Sequence, residues 1–71
     1  MTPYTVGQRV RLTERIDLSR RSPGGEGYAE PGTEGTIASR RASGALAIEI
    51  GYRSVFVQYW EIEPVGEGES G

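Results

Sequence analysis

A chain of 71 residues has room for one small domain, and folding leaves roughly 40% of its unfolded surface still in water. Cysteine and histidine are both absent, which excludes disulfides, thiolate nucleophiles, most transition-metal sites and the side chain best suited to proton transfer near neutral pH. The net charge is −2, unevenly spread: eight arginines and six carboxylates leave residues 1–60 at +2, and Glu61, Glu63, Glu67 and Glu69 then follow without a base.

Val6-Gly7-Gln8-Arg9-Val10-Arg11-Leu12-Thr13 has period two, which predicts a first strand with Val6, Val10 and Leu12 on one face and Arg9, Arg11 and Thr13 on the other. A helix over residues 8–21 is the weaker reading, because the spacing there is dominated by twos. Residues 14–31 carry Pro23, Gly24, Gly25, Gly27 and Pro31 with no apolar periodicity, so they read as one long loop with Arg20, Arg21 and Tyr28 on it. Pro31-Gly32-Thr33-Glu34-Gly35-Thr36-Ile37 follows, a turn running into a second strand that ends near Arg40. Its glycines are expected to supply a positive-φ turn and a bend. A Walker loop would need Gly-Lys-Ser/Thr before a helix, and here a strand follows without lysine.

Ala42-Ser43-Gly44 predicts a short turn, Ala45 to Ile50 a third strand with Leu46, Ile48 and Ile50 on one face, and Gly51 to Ser54 a tight connection. Val55-Phe56-Val57-Gln58-Tyr59 is the fourth strand, with Val55, Val57 and Tyr59 inward. A single helical turn at Tyr59-Trp60-Glu61 would return Ile62 and Val65 to the core on a brief fifth strand closed by Pro64. Residues 1–65 thus form the domain. Gly66-Glu67-Gly68-Glu69-Ser70-Gly71 has nothing to bury and reads as a disordered acidic tail.

Five short strands, a long loop after the first, a tight hairpin and one helical turn before the last resemble the SH3-like barrel over residues 6–65. Gly7-Gln8-Arg9-Val10-Arg11-Leu12, the Pro31–Ile37 block and Tyr52-Arg53-Ser54-Val55 are similar to KOW-type barrels, and more so to short SH3-like proteins of actinobacteria and their phages. The resemblance implies an all-β, five-stranded SH3-like barrel in a bacterial or phage setting. One superfold serves many tasks, so it implies no particular activity. The chain lacks the Ala-Leu-Tyr-Asp-Tyr run and the tryptophan pair of signalling SH3 domains, which points away from polyproline binding. It also lacks the lysines of nucleic-acid-binding KOW modules.

The candidate contact surface is Tyr28, Arg40, Arg41, Tyr59 and Trp60, which an SH3-like barrel would bring together; rings beside arginines suit a protein partner. The bland reading of Tyr59 and Trp60 is a cap on one barrel end. A second patch of Arg9, Arg11 and Arg53 could meet phosphate, or could pair across strands with Glu49, Glu61 or Glu63. Those three carboxylates also invite a reading as acid–base or Mg²⁺ chemistry, but a barrel this small fills its interior with side chains. We expect no catalytic residue, no metal and no cofactor. All basic residues are arginine, as codon bias in a GC-rich genome would produce and as forked contacts to anions would also favour.

The expectation is a non-enzymatic binding module with a protein partner. The alternatives are a nucleic-acid-binding module using Arg9, Arg11, Arg20, Arg21, Arg40, Arg41 and Arg53 on phosphates, and a structural homo-oligomer pairing through a strand edge. No apolar run approaches the roughly 18 residues needed to cross a bilayer, and Met1 to Thr5 lacks the features of a signal peptide, so a soluble cytoplasmic location with no membrane contact is expected.

Overall fold

Alternating apolar residues on Val10, Leu12, Ile37, Leu46, Ile48, Val55, Val57 and Ile62 drive the folding of this chain, since each needs a second apolar face to leave water. The computed structural model describes residues 4–65. In it the strands are β1 (Arg9–Leu12), β2 (Ile16–Asp17), β3 (Tyr28–Ala29), β4 (Glu34–Arg40), β5 (Leu46–Ile50), β6 (Arg53–Val57) and β7 (Ile62–Pro64). One α-helical turn, α1 (Leu18–Arg21), follows β2, and a 3₁₀ turn (Tyr59–Glu61) precedes β7. The predicted acidic tail, residues 66–71, lies outside the described residues.

Five strands form one antiparallel sheet in the order β6-β5-β4-β1-β7, and β2 pairs only with β3. The ladder does not run on from β6 to β7, so the sheet is open rather than closed into a barrel. It is nevertheless not flat, as chain length requires. Val57 and Ile62 are five Cα–Cα steps apart, a reach of at most about 17 Å. A flat sheet would separate its two edges by about 19 Å across the strands alone. The 3₁₀ turn joins those edges, so the sheet wraps around the side chains of its inner face. There Val10, Leu12, Ile37, Leu46, Ile48, Val55 and Val57 are almost wholly buried.

The segment expected to be a featureless loop is partly built. Ile16 pairs with Ala29 and Asp17 with Tyr28, and both Ile16 and Ala29 enter the core. Asp17 caps α1, its carboxylate accepting from the Ser19 N–H at 3.0 Å and the Ser19 hydroxyl at 2.7 Å. Strand 1 is shorter than its alternation suggested. A turn closed by the Gln8 N–H on the Thr5 carbonyl and by the Thr5 N–H on the Gln8 side chain precedes it, which leaves Val6 exposed. Tyr4 takes the inward place instead, and its hydroxyl donates to the Ile62 carbonyl. Burial, and secondarily Glu63, push that phenol above its ordinary value.

Pro31-Gly32 turns the chain: the Thr33 N–H reaches the Glu30 carbonyl at 3.1 Å, and Gly32 has φ +94°. A Cβ there would meet no atom within 4 Å, so Gly32→Ala should cost only the left-handed strain, about 1 kcal/mol, read as a small drop in denaturation midpoint. Gly35 serves differently. It has an ordinary φ, but a Cβ on it would lie 2.8 Å from the Glu49 carbonyl oxygen, so its missing side chain lets β4 and β5 approach.

Candidate functional site

After Val57 the sequence Gln58-Tyr59-Trp60-Glu61 leaves the sheet in a 3₁₀ turn that points its members in opposite directions. Tyr59 and Trp60 are 53% and 59% exposed, whereas Glu61 is only 6% exposed. The two rings meet edge to face, with centroids 5.1 Å apart and planes at 83°. Tyr59, predicted to be inward, is therefore a surface residue. Its turn follows directly on the strand, so period two no longer applies.

Glu61 anchors the turn. Its carboxylate accepts the Arg21 guanidinium as a fork, at 2.8 and 3.0 Å, and the Gln58 N–H at 2.8 Å. The Glu61 N–H in turn bonds the Gln58 carbonyl at 3.0 Å. Arg21 holds the Glu61 carboxyl below its ordinary range, with help from the Gln58 N–H and against the opposing effect of burial. The same guanidinium donates to the Phe56 carbonyl at 3.3 Å. One arginine thus ties α1, β6 and the turn beneath the aromatic pair.

The remaining predicted contact residues are distributed around this centre. Arg40 pairs in register with Leu46, and Leu46 with Val57, which places Arg40 about two strand spacings, or roughly 10 Å, from the residue where β6 ends. A bulge between Ile37 and Ser39 resets the alternation of β4 and puts Arg40 in phase with the core-side residue Leu46, although Arg40 itself is exposed at the rim. Arg41 takes the other face, its guanidinium 4.8 Å from the Phe56 ring centroid. Tyr28 is 55% exposed and stacks under Arg15 at 4.3 Å; no ring contact joins it to Tyr59 or Trp60. Of the five residues, Tyr59 and Trp60 are in direct contact with each other, while Arg40 and Arg41 diverge.

Of the three arginines expected as a phosphate patch, two have carboxylate partners: Arg9 pairs with Glu34 at 2.9 Å and Arg11 with Glu63 at 2.6 Å, while Arg53 donates to the Pro23 carbonyl at 3.5 Å. Outside that patch, Arg15 pairs with Glu30 at 3.3 Å. Glu49, Glu61 and Glu63 do not converge: Glu61 is buried on Arg21, Glu63 lies on Arg11 and Glu49 is exposed. Among the described residues no group of three or more acidic side chains is arranged to hold a metal ion, and no helix is long and apolar enough to cross a membrane. A shallow groove of about 560 Å³, lined by Pro23, Ile50, Gly51, Tyr52, Arg53 and Ser54, lies at the β5–β6 hairpin and includes neither exposed ring of the turn.

Arg21 and Glu61 are the site residues that sequence reasoning missed as a pair. Forty positions separate them, so no local spacing links a charge in the long loop to the last residue of the turn. Compared with known proteins, the chain matches no family model, no curated protein and no solved structure.

Proposed function

We propose that this chain is a small non-enzymatic binding module of the SH3-like barrel type, of bacterial or phage origin and cytoplasmic location, that engages a protein partner through Tyr59 and Trp60, with Arg40, Arg41 and Tyr28 at the periphery. The observation that carries the reading is the exposed edge-to-face ring pair on a turn whose third residue is buried and clamped. Large rings held in place bury area on binding at little entropic cost, and such anchors dominate protein interfaces. The strand order β6-β5-β4-β1-β7, with a 3₁₀ turn before the last strand and a curled sheet, supports the SH3-like assignment.

A protein partner is favoured over nucleic acid because Arg9, Arg11 and Arg21, three of the seven arginines that would meet phosphate, are already engaged by carboxylates. Capture of a partner from host lysate on the immobilised chain, with and without nuclease, tests the reading. Trp60→Ala should reduce capture at least about tenfold, a typical anchor loss, while changing stability by less than about 0.5 kcal/mol, as expected at an exposed position. Raising salt should matter little. Nuclease-sensitive capture that falls steeply with salt would transfer the function to nucleic acid, and capture unchanged by Trp60→Ala would remove the surface.

A further inference from the structure

The β5–β6 hairpin turns on Gly51 and Tyr52 alone, so Ile50 and Arg53, which face each other in register, form its last hydrogen-bonded pair. Alternation makes Ile48–Val55 and Leu46–Val57 the other hydrogen-bonded pairs. The N–H and C=O groups of Ser54 and Phe56 therefore point away from β5. Because β6 is an edge of the sheet, these groups form a ready template for another strand.

The segment after β2 lies against this edge. Arg21, locked by its fork onto Glu61, donates to the outward Phe56 carbonyl at 3.3 Å. Arg53 reaches back to the Pro23 carbonyl at 3.5 Å. The opposite edge is closed by other means: β7 has three residues, ends in Pro64 and has its Ile62 carbonyl bonded to Tyr4.

We propose that β6 is a strand-addition surface for a second copy of this chain, and that residues 18–25 form a strap, pinned by Arg21, that masks it. The register favours a copy of β6 itself as the occupant. With two β6 strands antiparallel about Val55, each Ser54 faces the other Phe56, and all the outward N–H and C=O groups pair. Val55 meets Val55, and Arg53 meets Val57, so no like charges are opposed. The pairing is its own two-fold and closes as a dimer, making one continuous sheet from two.

Sedimentation velocity over a wide concentration range tests this on three forms of the full chain. The unsubstituted chain should stay monomeric. The variant R21M/E61Q frees the Phe56 carbonyl without leaving a buried charge, and should self-associate to a dimer at least tenfold more tightly. Adding Ser54→Pro should return it to monomer, because the lost N–H faces the edge and takes no part in the β5 ladder. A folded R21M/E61Q that is monomeric throughout would overturn the proposal, as would association that survives Ser54→Pro or a dimeric unsubstituted chain. If circular dichroism shows R21M/E61Q unfolded, R21M/E61M replaces it, an apolar substitute for the whole pair that leaves no donor for the Phe56 carbonyl. Monomeric R21M/E61M would be equally fatal.

Discussion

Replacing Arg21 by Met should lower the stability of the folded chain by about 2–3 kcal/mol. Breaking a fully buried ion pair by removing one partner costs about 3–5 kcal/mol, because a charge is left without compensation. Arg21 keeps 36% of its side-chain exposure and Glu61 only 8%, so water reduces the loss without removing it. In a domain of this size that corresponds to a fall in melting temperature of roughly 10–20 °C. Restoring neutrality with E61Q on top of R21M should recover most of it, since an amide still accepts the Gln58 N–H and no charge remains buried. Thermal and urea unfolding of the two single variants and the double variant would decide the matter. Additive losses would mean that the pair is not a unit.

The same pair sets a pH dependence whose sign follows from the direction of the Glu61 shift. Its carboxyl is held below the ordinary value of 4.5 when folded, so the unfolded chain binds the proton more readily. The stabilisation is fully present above that ordinary value and is lost as pH falls through the folded one. Glu61→Gln should flatten this part of the acid-unfolding profile while leaving the neutral and alkaline limbs with their usual shape.

Gly35→Val should cost about 3 kcal/mol, the upper part of the range for overpacking a close-packed interior. The new Cβ would sit 2.8 Å from the Glu49 carbonyl oxygen and 3.0 Å from Ile50 Cγ1. Gly35 is opposite Val10 in β1, and β4 is held between β1 and β5, so neither neighbour can retreat without breaking a ladder. Ile37→Val, two residues on and equally inward, provides the comparison: it removes one methylene and should cost only about 1 kcal/mol. Urea midpoints for the two variants test the contrast. A Gly35→Val loss no larger than that of Ile37→Val would show that the β4–β5 spacing adapts.

What could be read from the sequence was what regular alternation encodes. Leu46, Ile48, Val55, Val57 and Ile62 announced their buried face, and the phase break at Tyr59-Trp60-Glu61 announced the 3₁₀ turn. Elements of two to four residues carry no period, so the β2–β3 ladder and α1 were hidden inside a stretch rich in glycine and proline. The bulge after Ile37 was equally silent, and it is what puts Arg40 rather than Arg41 in phase with the core-side residue Leu46. Of the binding surface, the two rings were legible from chemistry alone. Their anchoring was not, because Arg21 and Glu61 meet only through the tertiary fold.

The position of β1 has a consequence for how the molecule is made. Both of its edges are occupied, one by β4 and the other by β7, and the Val65 N–H still bonds the Arg9 carbonyl. During synthesis β1 must therefore wait, half satisfied, until residue 65 clears the ribosome. Contacts between distant parts of the chain are slow to close. With its core shared between β1 and β7, this domain should assemble in one cooperative step once β7 is available, and a chain stalled before β7 would present the free side of β1 to whatever strand is nearby.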